Sequence, residues 1–143
     1  MLLAKDLMIG DWGLCTYPSI NKPVRVVGIT SVYDNELKII VNDGESHLVF
    51  QEKYIEPTPL TTEILEKNGF RRETECYRWA ERLGGYMGQT TSATTPIEII
   101  RFDEGHCIVS NPHDGRMFQG DVTYVHQLQH ALKICEIKKN IVL

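Results

Sequence analysis

A chain of 143 residues, 42% hydrophobic and 24% charged, has the composition of an ordinary globular protein. At that length it forms one domain or two very small ones, and it buries roughly two-thirds of its unfolded surface without needing disulfides or a metal. Its 15 basic and 19 acidic side chains leave a net charge of −4, which does not argue for a phosphate-gripping protein. Residues 1–57 carry 5 basic against 8 acidic side chains and residues 58–143 carry 10 against 11, so neither part holds a basic surplus. No stretch approaches the roughly 18–20 apolar residues that span a bilayer. The opening Met1-Leu-Leu-Ala-Lys-Asp lacks the apolar core of a signal peptide, so no membrane association and a cytoplasmic location are expected. Cys15, Cys76, Cys107 and Cys135 are scattered with no Cys-x-x-Cys pair, the pattern of small buried hydrophobes in a reducing compartment.

Taken in order, the first 57 residues read as short strands between turns. Leu7 to Tyr17 opens the chain, with Gly10-Asp11 as a turn signal. Val24 to Ile29 is β-branched and apolar, Leu37 to Val41 comes next, and His47 to Gln51 returns after Asn42-Asp43-Gly44, a hairpin turn in which glycine supplies positive φ. Tyr54-Ile55 ends the series before Glu56-Pro-Thr-Pro59. Five short strands in so short a span suit a small, strongly curved barrel or sheet, of which the SH3-like barrel is the analogue.

The period then changes. Thr61 can cap a two-turn helix over 61–68 and Leu60 with Leu65 can staple its start. Gly69 stops the helix and Phe70 folds back onto Leu65. Residues 71–83 fit helix or strand, and their aromatic content favours strand for 75–81. The Gly-, Ser- and Thr-rich run from Gly84 to Pro96 reads as a surface loop. Strands at Ile97–Phe102, Cys107–Ser110 and Arg116–Gln119 come after it, separated by turns. Asp121 can cap a helix from Val122 to Cys135. On a wheel advancing about 100° per residue, Tyr124, Val125, Leu128, Ala131, Leu132 and Cys135 make one stripe that must pack on a sheet. The tail from Ile137 to Leu143 is apolar enough to dock as an edge strand.

Three stretches carry a resemblance: Ile9-Gly-Asp-Trp12, Ile55 to Phe70, and Tyr124-Val-His-Gln-Leu-Gln129. In that order they resemble a family of small uncharacterised proteins from gut Bacteroidetes, their phages and mobile elements. The resemblance runs from residue 9 to about residue 132. It implies an intracellular bacterial or phage accessory protein and brings no catalytic residue with it.

Several constellations invite chemistry. His126 and His130 stand four apart, as two metal ligands on a helix do, yet the wheel sets both opposite the apolar stripe, as exposed side chains. Gln127 replaces the glutamate that a zinc hydrolase needs there, so the pair reads as a partner-contact candidate rather than a metal site. His106 and Cys107 point to opposite faces of a strand, which leaves a zinc site or a Cys107–His113 dyad without a third group. Paired acids at Asp103-Glu104, Asp43-Gly-Glu45 and Asp114 fall in turns. Neither a P-loop nor a Gly-x-Ser-x-Gly elbow is present. Arg71, Arg72, Arg78 and Arg82 interleave with Tyr77 and Trp79, but Glu73, Glu75 and Glu81 offset them. Trp12, Tyr17 and Tyr33 can decorate a groove that holds a peptide.

These readings combine into an α+β chain. An SH3-like β-barrel-type unit spans residues 1–57. An α+β unit over 58–143 succeeds it, built from a helix at 61–68, an antiparallel sheet and a helix at 122–135. No cofactor and no metal are expected. The leading functional expectation is a non-catalytic binding or interaction module whose partner is a protein or a second copy. A nucleic-acid-associated accessory role is the alternative. An enzyme using Cys107 or the histidines comes third.

Overall fold

The computed structural model describes residues 4–32, 36–72, 76–81, 97–102, 105–111 and 115–143. Tyr33, His113 and the run from Gly84 to Pro96 lie outside the described residues, and so do the expectations placed on them. The chain is α+β, with two antiparallel five-stranded sheets and two α-helices among the described residues. It divides into two compact units, one of residues 1–59 with 124–126, the other of residues 60–123 with 127–143.

The first unit holds β1 (Trp12–Cys15), β2 (Lys22–Val32), β3 (Glu36–Asn42), β4 (His47–Gln51) and β5 (Ile55–Pro57). Their order in the sheet is β4-β3-β2-β1-β5. The edges β4 and β5 are not paired with each other, so the five strands form an open ladder and not the closed barrel that the sequence suggested. Alternation drives the core: Val24 and Val26 on β2, Ile39 and Val41 on β3, Cys15 on β1 and Ile55 on β5 all turn inward and are fully buried. Between Val26 and Gly28 the β2–β3 register shifts by a bulge, which adds twist and bend to the longest strand. The β3–β4 turn closes as its residues dictate. Gly44 takes φ of +99°, and the Asn42 carboxamide oxygen accepts from its N–H at 2.7 Å. The Asp43 carboxylate accepts from the N–H groups of Glu45 and Ser46 at 3.0 and 2.9 Å.

The second unit opens with α1 (Thr62–Lys67). Its caps are those the sequence encodes. The Thr61 hydroxyl accepts from Ile64 N–H at 3.3 Å. At the other end Gly69 N–H donates to Glu66 O and Phe70 N–H to Leu65 O, with Gly69 at φ of +83°. The sheet after it runs β10-β9-β8-β7-β6, with β6 (Arg71–Arg72), β7 (Cys76–Glu81), β8 (Ile97–Phe102), β9 (His106–Asn111) and β10 (Arg116–Asp121). The strand reading of 75–81 holds over Cys76–Glu81.

The helix α2 (Val125–Ile134) starts three residues later than expected, because Asp121 is the last residue of β10, paired with His106, and is not free to cap it. The Thr123 N–H and hydroxyl both donate to the Gln127 carboxamide oxygen instead, at 2.9 and 3.3 Å. Leu128, Ala131, Leu132 and Cys135 form the buried stripe as expected. At its far end the helix is fastened to β9, with Asn111 Nδ2 donating to Cys135 O at 2.8 Å. The tail docks, but not as a strand. Asn68, just past α1, donates to Ile64 O and Val142 O and accepts from Val142 N–H, while Ile137 and Ile141 are buried.

Candidate functional site

Among the described residues, those singled out in the sequence do not assemble. His126, expected to be exposed, is only 6% exposed and stacks on Tyr124 with ring centroids 5.9 Å apart. A wheel assumes that one surface covers a helix. Here the first turn is also covered by segment 58–59: Val125 N–H donates to Thr58 O at 2.9 Å, and Pro59 bridges to Tyr124. His130, one turn on, is half-buried rather than exposed. Trp12 is half-buried on β1, with the Arg25 guanidinium 5.1 Å from its ring centroid.

The second histidine cluster is also divided. Cys107 is fully buried and His106 half-buried, on opposite faces of β9 as alternation requires. The His106 Nδ1 lies 3.6 Å from Asp121, and its Nε2 lies 3.3 Å from the Gln119 amide nitrogen. Cys15, Cys107 and Cys135 are all buried and in no disulfide, and the Cys135 thiol donates to Val109 O at 3.6 Å. No group of three or more His, Cys, Asp or Glu side chains stands close enough to hold a metal among the described residues. In the second sheet Arg71 pairs with Arg78 and Arg72 with Tyr77, while Arg82 lies outside the described residues.

One candidate residue, Tyr17, does belong to a constructed site, and its partners were not anticipated. A recess of about 510 Å³ opens on the first unit, lined by Tyr17, Ser19, Ile20, Lys38, Leu48, Val49, Phe50, Gln51 and Tyr54. Three separate pieces of chain supply its rings. Tyr17 stands at the head of the β1–β2 connection, where its carbonyl accepts from the N–H groups of Ile20 and Asn21 at 2.8 and 3.1 Å. Phe50 is on β4, packed against the buried cluster. Tyr54 ends a single 3-10 turn, Glu52–Tyr54, between β4 and β5. Thr16 N–H donates to Tyr54 O at 2.8 Å and ties the first piece to the third.

The rings support one another. Tyr17 meets Tyr54 edge-on at 5.1 Å and 82°, and Phe50 at 5.4 Å and 43°; Phe50 and Tyr54 are 6.5 Å apart at 70°. These are the tilted geometries that opposite ring-edge and ring-face charges favour. Apolar surface remains open within the recess: Tyr17 is 40% exposed and Val49 54%. Lys38 is the charged residue of the described lining, and the Lys53 ammonium sits 5.0 Å from the Tyr54 ring centroid at the rim. Ser19 supplies the one aliphatic hydroxyl of the described lining, alongside the Gln51 carboxamide and the two tyrosines.

The signal for this site was faint. Phe50 and Tyr54 straddle a strand end four residues apart, but nothing in the sequence pairs them with Tyr17. Set beside known proteins, the chain matches no family model, no curated protein and no solved structure. No described helix is long and apolar enough to cross a membrane.

Proposed function

We propose that this protein is a non-catalytic interaction module that holds a partner protein in the aromatic recess of its first unit. The observation that carries the reading is the mutual support of Tyr17, Phe50 and Tyr54 around an open apolar recess with polar and cationic groups at its edge. Preformed, mostly apolar concavities with a few convergent polar groups are what binding sites are made of. Rings already packed lose little further freedom when a ligand arrives. The first unit reads as SH3-like in its strand order, its bulged long second strand and its 3-10 turn before the last strand. A reducing, cytoplasmic setting suits buried cysteines such as Cys15, Cys107 and Cys135, which form no disulfide. Such a role fits the bacterial or phage accessory proteins that the three sequence stretches resemble. The nucleic-acid reading stays the alternative, since the net charge of −4 supplies no basic surplus for it.

The test is a titration of the full chain, isotopically labelled, with capped single residues: the N-acetyl amides of leucine, proline and tryptophan, with uridine monophosphate as the competing class. Amide and ring resonances of Tyr17, Val49, Phe50 and Tyr54 should shift with one or more capped residues, and Tyr17→Ala should abolish the shifts. Absence of any response at the recess up to millimolar ligand, or a response to the nucleotide alone, would sink the proposal.

A further inference from the structure

We infer that Asn68-Gly69 is a self-modification site: a succinimide-forming pair that segment 137–143 holds in check, and whose reaction irreversibly loosens that segment. It lies in the second unit and does not depend on the recess. The chain has six asparagines, and Asn68 alone is followed by glycine. That neighbour matters because its nitrogen makes the attack, and glycine has no Cβ to obstruct it. Asn111 is followed by proline, whose nitrogen has no proton to lose.

The reaction needs only water and hydroxide. Hydroxide takes the proton of the Gly69 nitrogen, which attacks Asn68 Cγ. The N–Cγ bond forms, the Cγ–Nδ2 bond breaks, and the departing amide takes a proton from water and leaves as ammonia. Water then opens the five-membered imide at one of its two carbonyls. One opening gives aspartate. The other gives isoaspartate, with the main chain routed through the side chain.

The fold blocks this step at each reacting group. The carboxamide is held at both ends: Nδ2 donates to Ile64 O and Val142 O, and Oδ1 accepts from Val142 N–H. The attacking nitrogen is engaged as well, since Gly69 N–H donates to Glu66 O at 3.0 Å. With Asn68 at ψ of 11°, the Gly69 nitrogen lies alongside the Asn68 nitrogen, whereas the imide ring needs it alongside Cβ. Asn68 is only 8% exposed, which limits access for hydroxide. Two of the three carboxamide bonds belong to Val142, and the buried Ile137 and Ile141 keep its segment in place. Departure of the segment leaves the bond to Ile64 O alone, and the side chain and its backbone can then turn into the reactive geometry.

Either product holds the segment less well than asparagine does. Aspartate keeps an oxygen for Val142 N–H but has no proton for Ile64 O or Val142 O, so a carboxylate faces two carbonyl oxygens. Isoaspartate adds a carbon to the main chain just before Gly69, whose N–H closes α1 together with that of Phe70. The lost ammonia makes the change one-way.

The test ages the full chain at mildly alkaline pH and body temperature, with the same chain unfolded in guanidinium chloride as the reference. Mass spectrometry and isoaspartyl methyltransferase labelling follow the peptide that contains Asn68. Exchange of NH2 for OH adds about 1 Da, whereas isomerisation at Asp43-Gly44 or Asp114-Gly115 adds nothing. The folded chain should react at least about a hundredfold more slowly than the unfolded one. Ile141→Ala loosens the segment without touching the reacting pair, and it should speed the folded reaction by about tenfold or more. Lys67→Met removes only the bond to Leu143 O and should speed it by a smaller factor, each rate being taken relative to the same variant unfolded. Ile55→Val, in the core of the first unit, should change the rate by less than about twofold. The modified chain should show Val142 N–H exchange about tenfold faster than the fresh chain. Equal rates in the folded and unfolded chain would overturn the protection. Acceleration by Ile55→Val as large as that by Ile141→Ala would give the control to global unfolding and not to the segment. Unchanged Val142 exchange after modification would overturn the loosening.

Discussion

Asn68 is the residue on which the second unit's last segment turns, and its removal gives a worked test. Its carboxamide makes three bonds: Nδ2 to Ile64 O at 2.8 Å, Nδ2 to Val142 O at 2.7 Å, and Oδ1 from Val142 N–H at 2.8 Å. Two of these reach 74 residues along the chain. Beside them Lys67 Nζ donates to Leu143 O at 2.6 Å. A net hydrogen bond contributes about 0.5–1.5 kcal/mol, and a buried group left unpaired costs about 1–3 kcal/mol. Asn68 itself is buried, but Val142 is 48% exposed, so water can replace part of what Val142 loses. Asn68→Ala should therefore cost about 2 kcal/mol, near the low end of the summed bonds. Asn68→Asp keeps the oxygen that Val142 N–H uses and loses both donations, so its cost should be comparable. Urea denaturation of the full chain measures the loss, and amide exchange localises it: the Val142 N–H should exchange at least about tenfold faster in the alanine variant. A loss below about 0.5 kcal/mol, the range of ordinary surface substitutions, with unchanged exchange at Val142, would refute the clamp.

Two further outcomes concern the first unit. Asp43 has its pKa lowered from 3.8 to about 2, first by the Ser46 N–H, then by the Glu45 N–H, with Lys22 assisting and partial burial opposing. A carboxyl group whose folded pKa lies below its unfolded one stabilises the fold above 3.8 and loses that contribution as the pH falls through about 2. A carbon-detected titration of Asp43 should have its midpoint near 2, and a midpoint near 3.8 would remove the turn from the account. At Gly13, a methyl group would lie 2.8 Å from Ile55 Cγ2, itself in the core, while β1 is held between Val24 and Pro57. Gly13→Ala should cost about 1–3 kcal/mol in overpacking. Wild-type stability in urea would show that β1 and β5 can part without penalty.

What could be read from the sequence was local. Thr61, Gly69 and Phe70 act within one helix, so the caps of α1 are where their spacing puts them. Asn42-Asp43-Gly44 closes its hairpin with its own side chains. The errors arise where distant segments compete. Asp121 is a good cap by residue type, but pairing with His106 across a hairpin takes it into β10. His126 lies opposite the apolar stripe, but a second segment, Thr58–Pro59, runs along that turn and covers it. The apolar tail does dock, yet its anchor is a side chain 74 residues earlier, a contact that no periodicity announces.

The recess shows the same limit at the level of function. Each ring has an ordinary local role: a turn start at Tyr17, a strand interior at Phe50, the end of a 3-10 turn at Tyr54. Their meeting depends on β1 pairing with β5 and on β4 leaving the sheet just before the turn that carries Tyr54. A sequence reading that searches for reactive groups passes over such a site, since its components are aromatic and aliphatic surface with one ammonium. Trp12, equally aromatic, is excluded because alternation on β1 and the Arg25 guanidinium give it a different environment. The separation has a consequence for mutants. Trp12→Phe should leave recess binding within about twofold, because substitutions with no shared partners act independently, whereas Tyr17→Ala abolishes it. Equal losses from both would mean that binding reports the integrity of the whole unit and not the recess.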